Sequence, residues 1–289
     1  MPEGDTVWLA GRRLDAALRG QVLTRTDFRV PQHATADLSG RRVLEVASRG
    51  KHLLFRIEGG TTLHTHFRMD GSWHLYRPGR RWGGGPDFQV RVVLQTAPWT
   101  AVGYRLPVVE LLPTADEDEA VGHLGPDLLA DDWGEPMVAE AVRRLSAAPA
   151  TSIGEALLDQ RNVAGMGTVY RAEVLFLEGL HPRLPVGSVP DLAKPVRRGH
   201  ALLHRNRNRP EQSTTGSLER GADHWVYGRG GKPCRVCGTR IEVEEYGPLT
   251  QERLSYWCPT CQALPGAAPP AQDPGVPREG GVGAERPSP

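Results

Sequence analysis

Two hydrophobic periodicities divide this chain. Over residues 6–17 the apolar positions Val7, Leu9/Ala10, Leu14 and Ala17/Leu18 recur on one helical face, and Gly20 closes the run. Asp5 or Thr6 can cap its start. After Gly20 the pattern shifts to period two or to β-branched runs, at 21–28, 42–47, 52–57, 61–66, 72–76, 88–96 and 100–106. Gly59-Gly60 reads as a hairpin turn between two of them. One helix followed by about seven short strands predicts a β-sandwich or barrel ending near Pro113.

From residue 114 to 133 the chain is acidic and reads as a connector with a short helix. Beyond it the period becomes helical. Residues 136–145 are amphipathic, with Pro136 at a helix start. Ser152 can cap a short helix through Leu158, an apolar helical run covers 168–177, and Gly179 stops it. A basic helix is expected over 189–204, and the polar residues 212–216 read as a mobile loop. From Leu264 on, Pro, Gly and Ala dominate, which predicts a disordered tail.

Charge sharpens this division. Nine carboxylates and no Lys or Arg lie between Asp116 and Glu140. Six Lys or Arg, two His and no acid lie between Lys194 and Arg209. A net charge of +1 conceals this segregation, which suits solvated faces or a polyanion-binding protein. No apolar run approaches the ~18 residues that span a bilayer, and the acidic N-terminus lacks a signal-peptide core. A cytoplasmic protein with no membrane partner is expected. In that compartment its four cysteines are metal ligands or free thiols rather than disulfides.

Cys234-x-x-Cys237 and Cys258-x-x-Cys261 supply four soft ligands, with strand-like residues 239–244 and 253–257 between the pairs. That pattern predicts one structural zinc ion per chain, pinning a β-hairpin that presents Arg253 to a phosphate; redox thiols are the other reading. Gly165-Met166-Gly167-Thr168 opens a helix, where backbone N–H groups can meet an anion; close helix packing explains the glycines as well. Lys51, in Ser48-Arg49-Gly50-Lys51, is either solvated or a phosphate ligand. His64 and His66 share a strand face without an apparent third metal ligand, so hydrogen-bonding roles are expected. Met69 before Asp70-Gly71 is a packing residue or a wedge into a base stack. Once Met1 is removed, Pro2 carries a secondary amine able to attack a carbonyl carbon, and Glu3 beside it can move protons.

Taken in order, Met1-Pro2-Glu3-Gly4, Ser48-Arg49-Gly50-Lys51, Leu158-Asp159-Gln160-Arg161…Gly165-Met166-Gly167 and Tyr227-Gly228-Arg229…Cys234…Cys261-Gln262 resemble the formamidopyrimidine-DNA glycosylase/endonuclease VIII family. The resemblance spans residues 1–262 and is closer to the endonuclease VIII side, because Gly4 follows Glu3. It implies an α+β multidomain fold: an N-terminal β-sandwich catalytic domain with an N-terminal helix (2–113), the acidic connector (114–133), a helix–two-turns–helix DNA-binding domain (134–225), a zinc-finger hairpin (226–262) and the tail (263–289).

It implies further that Pro2 attacks C1′ of a damaged nucleotide, that Glu3 donates a proton as the base leaves, and that Lys51 contacts the phosphate at the lesion. Met69 would fill the gap left by the flipped nucleotide. Gly165, Gly167, Thr168 and Arg253 would hold flanking phosphates. The implied partner is damaged DNA, duplex or single-stranded, bound by a monomer associated with the bacterial nucleoid. Three departures stand out. Thr168 replaces the family's usual Asn, and Thr6 replaces a Glu that supports the active site. An Arg-x-Phe-Gly-like gap-filling segment is not evident around Tyr104–Pro107. The rival readings are a non-catalytic or abasic-site-only binder of damaged DNA with the same fold, and an RNA-associated zinc-ribbon protein.

Overall fold

The computed structural model describes residues 2–247 and 253–264; Met1 and the expected tail from 265 on lie outside the described residues. The described residues form two compact units. One runs to Asp131 and takes in Arg207–Pro210; the other comprises Asp132–Asn206 and the described residues from Glu211.

The first unit opens with helix α1 (Gly4–Leu18). Eight strands follow: β1 (Arg25–Phe28), β2 (Val43–Arg49), β3 (His52–Ile57), β4 (Thr61–His66), β5 (Ser72–Tyr76), β6 (Val90–Gln95), β7 (Thr100–Tyr104) and β8 (Val108–Pro113). They form two antiparallel four-stranded sheets, ordered β1-β6-β7-β5 and β2-β3-β4-β8. Period-two alternation sends Leu53, Phe55 and Ile57 of β3 into the core with Leu63, Val92, Leu94 and, from α1, Val7, Leu14 and Leu18. Truncating the fully buried Phe55 to Ala would cost about 3–5 kcal/mol. The opposite face of β3 carries His52, Leu54 and Arg56.

Residues 21–28 are not one strand. Val22 bridges to Arg42 beside one sheet, whereas Arg25 pairs with Gln95 in the other, so the segment crosses between layers. β8 has no counterpart among the sequence-derived strands: two prolines bracket it and Val108-Val109-Glu110-Leu111-Leu112 lacks strict alternation. It lies at a sheet edge, where a terminal proline sacrifices no ladder bond. Neither Asp5 nor Thr6 caps α1; Glu3 holds the N-cap position and Asp5 lies within the first turn. The acidic stretch contains α2 (Glu117–Val121) and is tied into the unit, since Glu117 accepts hydrogen bonds from Arg56 at 2.8–3.2 Å and from Thr62 at 2.6 Å.

The second unit holds α3 (Glu135–Ser146), α4 (Ile153–Ala156), α5 (Thr168–Leu177) and α6 (Ala193–Asn206), then the antiparallel hairpin β9 (Glu242–Tyr246) and β10 (Arg253–Trp257). Ser152 caps α4 by accepting the Glu155 N–H at 3.2 Å. All ten residues of α5 are buried, so it is the central helix of this unit. Arg171 on it donates to the Leu254 carbonyl at 2.8 Å, fastening β10 to α5. Residues 212–216 differ from the mobile loop expected of them: Ser213 and Thr214 are buried. Asn206 bonds both the N–H and the carbonyl of Ser213, so side-chain hydrogen bonding rather than apolar content fixes the segment.

Candidate active site

Pro2 and Glu3 lead directly into α1. Glu3 is fully buried with an extended backbone (φ −117°, ψ −174°), and its carbonyl accepts the Val7 N–H at 3.0 Å. The positive end of a helix favours a carboxylate there. Asp5 is also buried, and its Oδ1 accepts the Thr6 N–H at 2.8 Å. A buried acid is therefore present one position before Thr6, the residue that stands where the resemblance leads one to expect an acid. The helix runs close over the sheet at Gly11: a Cβ added there would lie 3.0 Å from Leu53 Cδ2 and 3.6 Å from Ser48 Cβ. An alanine there would press on the tip of the Leu53 side chain and meet Ser48 at ordinary van der Waals distance.

That turn is held from behind. Gly50 adopts φ +57°, a left-handed conformation that favours glycine. Its N–H donates to the Asp127 carboxylate at 2.7 Å, and the same carboxylate accepts the Leu129 N–H at 2.9 Å. Burial raises the Asp127 carboxyl above its ordinary value, and the two N–H donors oppose the shift. Asp127 comes from the acidic stretch, where sequence reading saw only a connector.

Beside Lys51 lies a group of histidines. His52 Nδ1 and His64 Nε2 are 2.7 Å apart, and His64 Nδ1 lies 2.8 Å from the Glu110 carboxylate. The His52 and His66 rings meet edge to face at 4.6 Å, and His66 Nδ1 accepts the Arg68 N–H at 2.8 Å. Burial first, then His66, His64, His123 and Lys51, pushes His52 down to about 3. Burial, Lys51, Arg68 and His64 push His66 down to about 4. The pair sits neutral at pH 7. His64 and His66 thus make side-chain hydrogen bonds of the kind expected of them.

Met69 is exposed, on a turn where Arg68 has φ +46°. Gly71 closes the turn with its N–H on the Phe67 carbonyl at 2.9 Å, and a Cβ at Gly71 would lie 2.7 Å from that oxygen. Arg105 Nε donates to the Asp70 carbonyl at 3.0 Å, so the segment 104–107 buttresses the Met69 turn.

In the second unit, Gly165 takes φ +99° and its N–H donates to Gln160 Oε1 at 3.0 Å. Gln160 Nε2 in turn donates to the Leu158 and Met166 carbonyls at 2.8 and 2.9 Å, shaping the turn that ends at Gly167, the N-cap of α5. Thr168 is buried at the first helical position. Arg253 is the exposed first residue of β10, so the Gly165–Thr168 turn and Arg253 sit on elements joined through Arg171.

The four cysteine Sγ atoms lie within 4.8 Å of one another, with Cys234–Cys261 at 3.9 Å and Cys237–Cys258 at 3.4 Å. Tetrahedral zinc with bonds of ~2.3 Å needs sulfurs about 3.8 Å apart, which this cluster fits. Val236 and Cys261 N–H groups point at Cys234 and Cys258 sulfurs at 3.4 Å, as suits thiolates. Hydrogen bonds from Cys258 and Cys261 hold Cys234 far below the ordinary thiol range, and those two are raised in turn. A divalent cation ligated by all four sulfurs would remove that conflict. The cluster is built to hold a metal ion.

Residues 1–105 match the formamidopyrimidine-DNA glycosylase N-terminal domain, and residues 124–191 match the formamidopyrimidine-DNA glycosylase H2TH domain. The chain is 57% identical to a probable endonuclease 8 2 of Streptomyces coelicolor, over 93% of this chain and 96% of the relative. This chain belongs to the formamidopyrimidine-DNA glycosylase/endonuclease VIII family. The DNA-(apurinic or apyrimidinic site) lyase Nei2 of Mycolicibacterium smegmatis is 46% identical over 91% of this chain and 99% of its own length, which places the chain on the endonuclease VIII side of the family. A Lactococcus lactis Fpg in complex with DNA containing an abasic site shares the fold, with a TM-score of 0.76 and 22% identity over 91% of this chain and 100% of that one. The family is one of DNA glycosylase/lyase enzymes of DNA repair.

Several residues that shape this family member's site escaped the sequence reading. Asp127 and the His52–His64–Glu110 chain are joined only by folding. Glu173 was legible in principle, as a lone acid in an apolar helical run. It is fully buried and accepts the N–H groups of Trp225, Val226 and Tyr227 at 2.8–2.9 Å, anchoring the strap that leads to the cysteine hairpin. Gln262 donates to the Leu180 carbonyl at 2.8 Å and fixes the last cysteine turn to the helices.

Proposed function

We propose that this chain is a base-excision repair DNA glycosylase and AP lyase that works through the amine of Pro2, with a structural zinc ion on Cys234, Cys237, Cys258 and Cys261. The observation that carries this reading is the burial of Glu3 next to Pro2, at the head of a helix that lies on the strand leading to the Lys51 turn. A reactive amine needs an adjacent acid shielded from water and a cation for the phosphate of the bound nucleotide.

The substrate is damaged DNA, with oxidised bases and abasic sites as the reacting groups. A stacked base hides C1′, so the nucleotide leaves the duplex and Met69 occupies the gap. The Pro2 nitrogen attacks C1′ while Glu3 delivers a proton that lets the sugar open and the base depart. Loss of the ring oxygen's bond to C1′ leaves an iminium there. That iminium acidifies C2′; its proton is removed, the C3′–O bond breaks, and the 3′ phosphate leaves with the bond electrons. Water closes the cycle by hydrolysing the iminium. Lys51, the Gly165–Thr168 turn and Arg253 hold phosphates, so affinity falls steeply with salt.

Borohydride reduction on abasic-site DNA tests the nucleophile. A covalent adduct is expected with the processed chain and none when Met1 is retained. An equal adduct with Met1 retained would remove Pro2 from the mechanism. A chain that binds abasic-site DNA without nicking it would instead be a non-catalytic damage binder.

A further inference from the structure

One apolar side chain of the first unit has no role in the scheme above. Phe88, in the connection between β5 and β6, is 77% exposed, the most open large apolar side chain among that unit's described residues; Met69 follows at 54%. A lone exposed phenylalanine is ordinary on a protein surface. The turn beneath Phe88 is not, because it is pinned on three sides. It is one turn of 3-10 helix, Asp87–Gln89. Arg29 Nη1 donates to the Asp87 carboxylate, Arg91 Nη1 to the Phe88 carbonyl and the Arg105 N–H to the Gln89 carbonyl, each at 2.8 Å. The backbone is fixed while the ring stands in solvent.

The same contacts tie Phe88 to the Met69 turn. Arg105 Nη1 donates to Gln89 Oε1 at 2.6 Å, and its Nε donates to the Asp70 carbonyl at 3.0 Å. The residue after Phe88 and the residue after Met69 therefore meet on one guanidinium. Gly85 packs against this bridge: a Cβ there would lie 2.7 Å from Gln89 Oε1 and 3.2 Å from Arg105 Nη1. Arg68 and Arg105 are the two non-glycine residues with positive φ among the described residues, at +46° and +48°. Their surroundings hold both in an unfavourable conformation, one beside each end of the bridge. Arg80 and Arg81, on the same connection as Phe88, are exposed, and their side chains make no hydrogen bond or ion pair among the described residues. An open aromatic face on a segment with uncommitted cations suits a strand of nucleic acid, whose bases stack and whose phosphates are anionic. We infer that Phe88 is a stacking platform for a base of the bound DNA left unstacked beside the gap that Met69 fills. Taking a nucleotide out of the duplex uncovers the faces of its neighbours and of the base opposite. A phenyl ring on an ordered turn covers such a face with little further loss of freedom.

The inference rests on the reading of this chain as a nucleotide-flipping enzyme with Met69 at the gap, and its test separates the two. Phe88 is exposed, so substitutions there spare the core. Anisotropy titrations compare an uncleavable abasic-analogue duplex with an undamaged duplex of the same sequence. Phe88→Ala should weaken binding to the analogue about tenfold, within the range found when stacking aromatics are truncated. Its effect on the undamaged duplex should be no more than about twofold, since phosphate contacts carry that binding. Phe88→Trp should bind the analogue as wild type does, whereas Phe88→Leu, apolar but without a ring face, should lose as much as Phe88→Ala. The slope of log affinity against log salt should be the same in Phe88→Ala as in wild type, because no phosphate contact is removed. Full affinity in Phe88→Leu, equal losses on the two duplexes, or a lowered salt slope would overturn the platform. If wild type prefers the analogue but traps nothing with borohydride on abasic-site DNA, the Pro2 reading falls while Phe88 is still judged by binding. If Met69→Ala leaves analogue binding unchanged and Phe88→Ala weakens it, the wedge falls and the platform stands. A wild-type chain that does not distinguish the two duplexes overturns both.

Discussion

Glu3 is fully buried in the peptide bond's immediate neighbourhood of Pro2, and the division of labour between these two residues is open to direct test. An acid that protonates a departing base matters most when there is a base to expel. Glu3→Gln keeps the shape and removes the proton. Excision of an oxidised pyrimidine should fall by about 10²–10⁴-fold, the usual contribution of a general acid. Nicking of a preformed abasic site should fall far less, and single-turnover rates on the two substrates measure the difference. Equal loss on both would mean that Glu3 serves ring opening alone. Asp5 bears on the same question: Thr6 removes the acid expected at that position, yet the buried Asp5 carboxylate stands beside it in the first turn of α1.

At the scale of single elements, the turn that carries Lys51, the proposed phosphate ligand, is fixed by a buried acceptor. The Lys51 turn depends on Asp127. Asp127→Ala strands the Gly50 and Leu129 N–H groups, whereas Asp127→Asn keeps an acceptor for at least one of them. Asp127→Ala should therefore mimic Lys51→Ala in DNA binding, lowering the slope of log affinity against log salt by about one, while Asp127→Asn stays near wild type. Titrations of labelled abasic-analogue DNA across salt concentrations check this. The cysteine hairpin would depend on the proposed zinc ion in the same way. It is joined to the helices by Gln262 and by Arg171, and its own hydrophobic content is small. Cys258→Ser should lose metal binding, read by elemental analysis, and with it the DNA affinity proposed for Arg253. Retained affinity in the metal-free variant would mean that the hairpin does not present DNA contacts.

At the scale of the whole molecule, the histidine cluster couples stability to pH. His52 and His66 titrate near 3 and 4 in the folded chain and near 6.5 once unfolded. Between those values the unfolded chain binds more protons, so stability is fully present above about pH 6.5 and is lost as pH falls. A loss on the order of 2–4 kcal/mol is expected between pH 7 and pH 5, measured as a falling urea midpoint. Replacing both histidines with Gln should flatten that dependence. Segregated charge also acts at this scale. Two carboxylates of the acidic stretch are engaged internally, Glu117 by Arg56 and Asp127 by Gly50 and Leu129, and α6 pairs Arg197 with Glu135 and Arg198 with Glu178. Among the described residues, no helix is long and apolar enough to cross a membrane.

Local periodicity and spacing were sufficient for α1, for the hairpin of β3 and β4 with its Gly59-Gly60 turn, for α5 and for the cysteine pairs. Each of these is specified by neighbours within a few residues: alternation, positive-φ glycines, or ligand spacing. The N-terminal motif, the lysine turn and the cysteines also carried the family resemblance. Tertiary structure decided what depends on distant partners. Residues 21–28 switch sheets because Val22 and Arg25 find different strands. Edge strand β8 forms because β4 offers a free ladder. Asp127 reaches Gly50 across 77 residues, and Glu110, His64 and His52 join only through strand register. A buried polar group is chosen by the partner that satisfies it, and that partner's position in space is not written in the spacing of the chain.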